Sequence, residues 1–109
     1  DNPDFEVSHF VTLGSPLGMP LVLHKIRGEN STIRTPSVVR RWTNLADRRD
    51  HVAFDVHLAD DFDPNGHDVT VDDKLVINGY LPPKGKPTHH TIYGYLRTPE
   101  FTELVRAFI

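Results

Sequence analysis

Cysteine is absent from the 109 residues of this chain. Its absence excludes disulfide bonds, thiolate zinc sites and cysteine nucleophiles, and it leaves the redox compartment undetermined. Long apolar runs are also missing, because none approaches the roughly 20 residues that a membrane-spanning helix requires. No secretory signal opens the chain either. The sequence therefore predicts no membrane span.

The chain also carries little net charge. Its 12 Lys and Arg residues against 15 Asp and Glu residues give a formal net charge of −3. Because the basic residues are spread along the chain, electrostatics give no reason to expect nucleic acid or anionic lipid as a partner. With 38% hydrophobic and 25% charged residues, the composition is that of one small soluble globular domain.

Three segments have the apolar and β-branched content of strands: Val7 to Leu13, Val38 to Leu45, and a stretch within Val69 to Asn78. Helices are predicted over 17–28 and over 98–109. The order strand, helix, strand, strand, helix is typical of a parallel α/β sheet. About three strands with flanking helices cannot cover their own faces and edges, so we expect an incomplete fold that self-associates through exposed sheet surface.

The two helices are bounded by local signals. Pro20 lies in the first turn of the first helix, and Gly28 is placed to end it. Thr98 is a good N-cap for the second helix, with Pro99 at its first position. The chain has no initiator methionine and opens like an internal segment, so residues 1–109 are expected to be one unit truncated at its N-terminus.

Polar side chains follow each predicted strand of the sheet. Ser15 comes after the first strand, Asp47 and Asp50 after the second, and His89 and His90 after the third. The carboxyl ends of parallel strands form the edge at which α/β proteins bind ligands and catalyse reactions. An acid followed by a histidine on loops that leave successive strands is the second half of a Ser…Asp…His order.

Three motifs occur in order along the chain: TLGSPLG, then RWTNLADRRDHVA, then HHTIYGYLRTPEFTELVRAFI. Together they resemble the C-terminal half of an α/β-hydrolase of the lipase and esterase branch, related to PGAP-type and lecithin–cholesterol-acyltransferase-like lipases. In that branch a strand ending in T-x-G-S/T-P precedes W-x-N-x-x-D-x-x-D-x-V, and a histidine follows shortly before a tyrosine. The resemblance implies a serine hydrolase that cleaves acyl esters with a Ser-His-Asp triad.

The resemblance also assigns roles to residues of this chain. It makes Asp50 the catalytic acid, at the D-x-V position, with Asp47 as the alternative. It makes His90 the catalytic base, because His90 and Tyr93 have the H-x-x-Y spacing, with His89 as the alternative. It implies no cofactor and no metal, and an acyl-ester or lipid-like substrate for the intact protein.

The serine within TLGSPLG does not fit the nucleophile position of that family. Ser15 stands one place earlier than in G-x-S-x-G, and Pro16 removes the backbone N–H that would serve the oxyanion hole. The residues instead predict a strand-to-helix turn, with Ser15 as a cap or pocket residue. The nucleophile and oxyanion donors are therefore expected upstream of Asp1, and the chain alone is expected to be inactive.

Alternatives for the same polar residues stay open. A metal site would combine His89 and His90 with Asp50, Asp60 or Asp61, although adjacent histidines on an extended stretch point to opposite sides. The stretch 60–68, DDFDPNGHD, has the outline of a calcium loop without its closing glutamate. The alternative to an enzyme is a non-catalytic α/β interaction module derived from a hydrolase.

Two aromatic predictions concern packing. Trp42 is expected to pack at the end of its strand rather than to form a substrate platform. Tyr93 and Tyr95 alternate, so one is expected to pack inward while the other faces the site or solvent.

Overall fold

A computed structural model describes residues 5–28, 32–53, 56–79 and 89–109 of the chain. In these ranges the strands are β1 (Phe10–Leu13), β2 (Ile33–Arg34), β3 (Trp42–Ala46), β4 (Phe62–Asp63) and β5 (Val71–Leu75). The helices are α1 (Pro20–Arg27), α2 (Ile92–Leu96) and α3 (Pro99–Phe108), and short 3-10 turns cover Pro16–Gly18 and Leu58–Asp60.

The main sheet is parallel and has three strands in the order β1–β3–β5. Each predicted strand segment contributes one of them, so the predicted α/β class with a parallel sheet is confirmed. The central strand β3 is buried along its whole length, as expected for the middle strand of a parallel sheet. Its two polar residues, Thr43 and Asn44, are buried with side-chain hydrogen-bond partners. Because all three strands run the same way, their carboxyl ends meet at one edge, where the polar loops begin.

A second sheet was not predicted. Strands β2 and β4 pair in parallel through two residues each, Ile33 with Phe62 and Arg34 with Asp63. Two-residue strands have no periodicity to detect, because their pairing depends on a partner far away in the sequence.

Both predicted helices are confirmed, although α1 begins at Pro20, three residues later than predicted, and the signals that bound them are local. Helix α1 has Pro20 in its first turn and ends at Gly28, whose φ is +60°. Helix α3 follows Thr98, whose hydroxyl accepts a hydrogen bond from the Phe101 N–H at 3.3 Å, and Pro99 opens the helix.

Trp42 packs in the apolar core, as predicted. It belongs to the larger of two apolar clusters, which comprises Leu23, Ile33, Val39, Trp42, Leu58, Phe62 and Val71. Its ring lies 5.2 Å from that of Phe10 and 5.0 Å from that of Phe62, and its Nε1–H donates to Thr12 Oγ1 at 3.1 Å. Trp42 therefore joins the main sheet to the small β2–β4 sheet. A second cluster lies nearer the polar edge and comprises Leu45, Val76, Tyr95 and Leu104.

Several large apolar side chains remain exposed in the described part of the chain, among them Leu21, Ile77, Phe108 and Ile109. The expected self-association of exposed apolar surface stays a prediction. Among the described residues, no helix has the length and apolar character needed to cross a lipid bilayer.

Candidate active site

The loop after β3 holds Asp50 in a fixed position. Its backbone N–H donates to the Asp47 carbonyl at 2.9 Å, which closes a tight turn. Its Oδ1 atom accepts hydrogen bonds from the N–H groups of Val52 at 2.9 Å and Ala53 at 3.3 Å. The side chain is 0% exposed, so these bonds replace the water that an ionised carboxylate would otherwise require.

His90 meets Asp50 at the carboxyl edge of the sheet. His90 Nδ1 lies 3.0 Å from Asp50 Oδ2. Because a carboxylate only accepts hydrogen bonds, Nδ1 is the donor in this contact, and in the neutral imidazole the lone pair is therefore on Nε2. The His90 side chain is 51% exposed, and its Nε2 makes no hydrogen bond to the described residues. The two residues that the resemblance assigned as acid and base are therefore in contact, while their catalytic roles stay predictions.

Tyr95 is the third member of this cluster, and the sequence did not single it out for the site. Its hydroxyl donates to Asp50 Oδ2 at 2.5 Å and accepts from the Asp47 N–H at 3.2 Å. Burial, followed by the hydrogen bond to Asp50, raises the pKa of Tyr95 above its ordinary value.

The expectation that one tyrosine faces inward is confirmed, although the local structure differs from the one assumed. Tyr95 is 0% exposed and Tyr93 is 63% exposed, but both lie on helix α2 rather than on an extended segment. The H-x-x-Y spacing pointed to Tyr93, and the tyrosine that contacts the acid is Tyr95.

The glycine of TLGSPLG allows the cluster to pack against β1. A Cβ added to Gly14 would meet Asp50 Oδ2, Tyr95 Cε2 at 2.8 Å and the Tyr95 hydroxyl at 3.0 Å. Gly14 also has a φ of +57°, a backbone conformation that residues with a Cβ rarely adopt. Ser15 Oγ accepts from the Leu17 N–H at 3.2 Å and so caps the following turn, which confirms its interpretation as a cap.

Asp47, the alternative acid, has a different set of partners. Its Oδ1 accepts from the Arg49 N–H at 2.8 Å and from Arg49 Nε at 3.1 Å. Its Oδ2 accepts from Arg49 Nη2 and from the Asn78 N–H, both at 2.8 Å. His89 Nδ1 lies 3.1 Å from the Asn78 carbonyl oxygen and 4.0 Å from Asp47 Oδ2. Asp47 therefore links Asn78, beyond the end of β5, to the loop after β3, and Asp50 is the acid that bonds His90.

The pKa of Asp47 makes the stability of the folded state depend on pH at acidic pH. Burial by itself raises the pKa of Asp47, but hydrogen bonds from Arg49 and from the Asn78 N–H outweigh burial and lower the pKa from 3.8 to about 2. Because its pKa is lowered in the folded protein, Asp47 stabilises the folded state above pH 3.8. This stabilisation disappears as the pH falls through about 2.

We expect Asp47→Asn to remove an acid-dependent contribution of about 1 kcal/mol, since solvent around the half-exposed Arg49 weakens the pair. Urea unfolding at pH 5, 4, 3 and 2 measures it. The decline in the free energy of unfolding should be shallower for Asp47→Asn than for wild type. Parallel declines in the two proteins would contradict the assignment.

The metal and calcium alternatives gain no support from the described residues. Among them, no group of three or more histidine and acidic side chains is arranged to hold a metal ion. In the calcium-like stretch, Asn65 organises a turn: its Oδ1 accepts from the N–H groups of His67 and Val69, and its Nδ2 donates to the carbonyls of Pro36 and Val39. These contacts are those of a structural turn.

Comparisons with protein-family models, with curated proteins and with solved structures find no match for this chain. The chemistry of the site therefore has to follow from its geometry. A buried carboxylate bonded to one imidazole nitrogen, with the other nitrogen available at the surface, is an arrangement that accepts and returns a proton.

Proposed function

We propose that this chain supplies the acid and the base of a serine hydrolase that cleaves acyl esters, with Asp50 as the acid and His90 as the base. The observation that carries the proposal is the 3.0 Å contact between Asp50 Oδ2 and His90 Nδ1 at the carboxyl edge of a parallel sheet. The order of acid and histidine along the chain also agrees with the α/β-hydrolase resemblance.

The contacts of both side chains suit this role. His90 Nε2 takes the proton of the nucleophilic hydroxyl while that oxygen attacks the ester carbonyl carbon. The resulting imidazolium is stabilised by Asp50, whose charge is held by the Val52 and Ala53 N–H groups and by the Tyr95 hydroxyl. His90 then gives the proton to the leaving alcohol, and water releases the acyl group by the same two steps.

Ser15 does not serve as the nucleophile in this proposal. Its Oγ is engaged by the Leu17 N–H, and Pro16 has no N–H to offer an oxyanion. The proposal therefore assigns the nucleophile and the oxyanion donors to sequence outside residues 1–109, as the resemblance implies. Residues 1–109 by themselves are then expected to be inactive.

Labelling with a fluorophosphonate probe tests the proposal on the full-length product of the gene. Wild type should be labelled, and both His90→Gln and Asp50→Asn should be labelled at least about a thousandfold more slowly. His90→Gln removes the base, and an asparagine at position 50 favours the opposite imidazole tautomer, with the proton on Nε2. The matched control is His89→Gln, which changes the adjacent histidine and should keep the wild-type labelling rate.

Two outcomes would contradict the hydrolase proposal. The first is labelling of His90→Gln at the wild-type rate, which would reject His90 as the base. The second is a folded full-length protein that the probe never labels, which would favour the alternative of a non-catalytic interaction module.

A further inference from the structure

Asp50 Oδ2 receives two hydrogen bonds from different parts of the chain. One comes from His90 Nδ1, on the turn before α2, and the other from the Tyr95 hydroxyl, within α2. The other oxygen, Oδ1, is held by the Val52 and Ala53 N–H groups. Of the two side-chain donors, His90 is 51% exposed, whereas Tyr95 is fully buried.

We propose that Tyr95 is a positioning residue, whose buried hydroxyl fixes Asp50 Oδ2 so that His90 keeps its proton on Nδ1 and its lone pair on Nε2. Its contribution to catalysis rests on the proposed function, whereas its effect on His90 does not.

The rotation of the Tyr95 hydroxyl is restricted by a second hydrogen bond. The Asp47 N–H donates to the hydroxyl oxygen at 3.2 Å, so the hydroxyl proton is left to point at Asp50 Oδ2. The ring itself is fully buried, with Leu45, Val76 and Leu104 in the same apolar cluster. Tyr95 therefore connects the backbone of one acid to the side chain of the other.

A tyrosine that served only to fill the core would not need this hydrogen bond. Burying a hydroxyl has a cost unless it is paired, so phenylalanine would fill an apolar cluster at lower cost. The raised pKa of Tyr95 is consistent with a neutral donor beside a carboxylate. Among the described residues, the charged and titratable groups next to the cluster are Asp47 with its partner Arg49, and His89, which lies 4.0 Å from Asp47 Oδ2.

Without the hydroxyl, Oδ2 loses one of its two donors, and its position depends on the His90 contact and on the two N–H groups that hold Oδ1. The Nδ1–H tautomer of His90 then loses part of its advantage over the Nε2–H tautomer. A neutral imidazole with the proton on Nε2 cannot accept a proton there, so a shift of tautomer removes the base without removing the histidine.

Nitrogen-15 NMR of the His90 ring tests the proposal, because the chemical shifts of Nδ1 and Nε2 report which nitrogen carries the proton. We expect wild type to hold mainly the Nδ1–H tautomer, and Tyr95→Phe to shift the ratio about fivefold toward Nε2–H. Tyr93→Phe removes the exposed hydroxyl of the same helix and should leave the ratio unchanged. An unchanged ratio in folded Tyr95→Phe would overturn the proposal.

A second measurement applies if Tyr95→Phe does not fold. In wild type the Tyr95 hydroxyl proton should give a downfield, slowly exchanging signal, which Asp50→Asn should lose or move upfield. A signal that Asp50→Asn leaves in place would overturn the proposal.

Fluorophosphonate labelling of the full-length protein separates this inference from the proposed function. Tyr95→Phe should be labelled about tenfold more slowly than wild type, with unchanged labelling in Tyr93→Phe. If wild type is never labelled while Tyr95→Phe still shifts the His90 tautomer, the hydrolase proposal is wrong and the positioning role stands. If wild type is labelled and Tyr95→Phe changes neither the rate nor the tautomer, the positioning role is wrong.

Discussion

Alanine in place of Gly14 is expected to lower the free energy of unfolding by about 2–5 kcal/mol, the sum of two physical effects. Holding a side chain at positive φ costs about 1–2 kcal/mol. Forcing a methyl group against Asp50 Oδ2 and the Tyr95 ring adds about 1–3 kcal/mol, because neither neighbour is the free end of a flexible side chain. Urea unfolding monitored by Trp42 fluorescence measures the loss.

Gly28 provides a matched control for this experiment. Its φ of +60° is close to the +57° of Gly14, but a Cβ added to Gly28 would meet nothing within 4 Å. Gly28→Ala should therefore cost only the strain of the backbone, and it should leave the NMR signals of His90 and Tyr95 unchanged. Gly14→Ala should disturb both signals. If Gly14→Ala left both signals as in wild type, the close packing of Gly14 against the cluster would be refuted.

Asp50→Ala is expected to cost about 3–5 kcal/mol, in the range of mutations that break a buried hydrogen-bond network. The substitution removes the acceptor for two backbone N–H groups and for the Tyr95 hydroxyl, and the hydroxyl is too deeply buried to find water. The control is Asp72→Ala on β5, which removes an exposed carboxylate paired with Lys74 at 3.5 Å and should change stability by less than about 0.5 kcal/mol.

A double-mutant cycle isolates the contact between Asp50 and Tyr95. Tyr95→Phe introduced into Asp50→Ala removes the hydroxyl that the first substitution leaves unpaired, so the double variant should be less destabilised than the sum of the single variants. We expect a coupling of about 1–2 kcal/mol from equilibrium unfolding. Additive losses, within about 0.5 kcal/mol, would show that the contact contributes nothing to folding.

The sequence was sufficient wherever the cause lies within a few residues. Thr98 caps α3 through an N–H three residues later, and Gly28 ends α1 through its own positive φ. Ser15 was expected to be a cap or pocket residue, and it caps the turn through the N–H of Leu17, two residues later. The order of strands and helices also predicted a parallel sheet, because strands separated by a helix or a long crossover pair in that way.

The choice between Asp47 and Asp50 needed the tertiary structure. Both acids lie in one short loop after β3, and composition alone does not distinguish them. Asp47 is occupied by Arg49 and by Asn78, three residues beyond β5, while the turn directs Asp50 toward α2 and His90. The resemblance favoured Asp50 through its motif, but the contact with His90 depends on elements far apart in the chain.

Tyr95 shows why part of the cluster could not be predicted. The sequence indicated that one of two tyrosines packs inward, and only the helical geometry of α2 decides that it is Tyr95. The small β2–β4 sheet was missed for a related reason, since two-residue strands carry no pattern of their own.

By itself, the sequence determined the parallel α/β architecture, the end of α1, the start of α3 and the set of polar residues at the carboxyl edge of the sheet. The tertiary structure decided which of them touch. It showed that Gly14 of TLGSPLG matters because its missing side chain leaves room for Asp50 and Tyr95. Local signals follow from backbone preferences of neighbouring residues, whereas this contact arises only when the chain folds β1, the loop after β3 and helix α2 against one another.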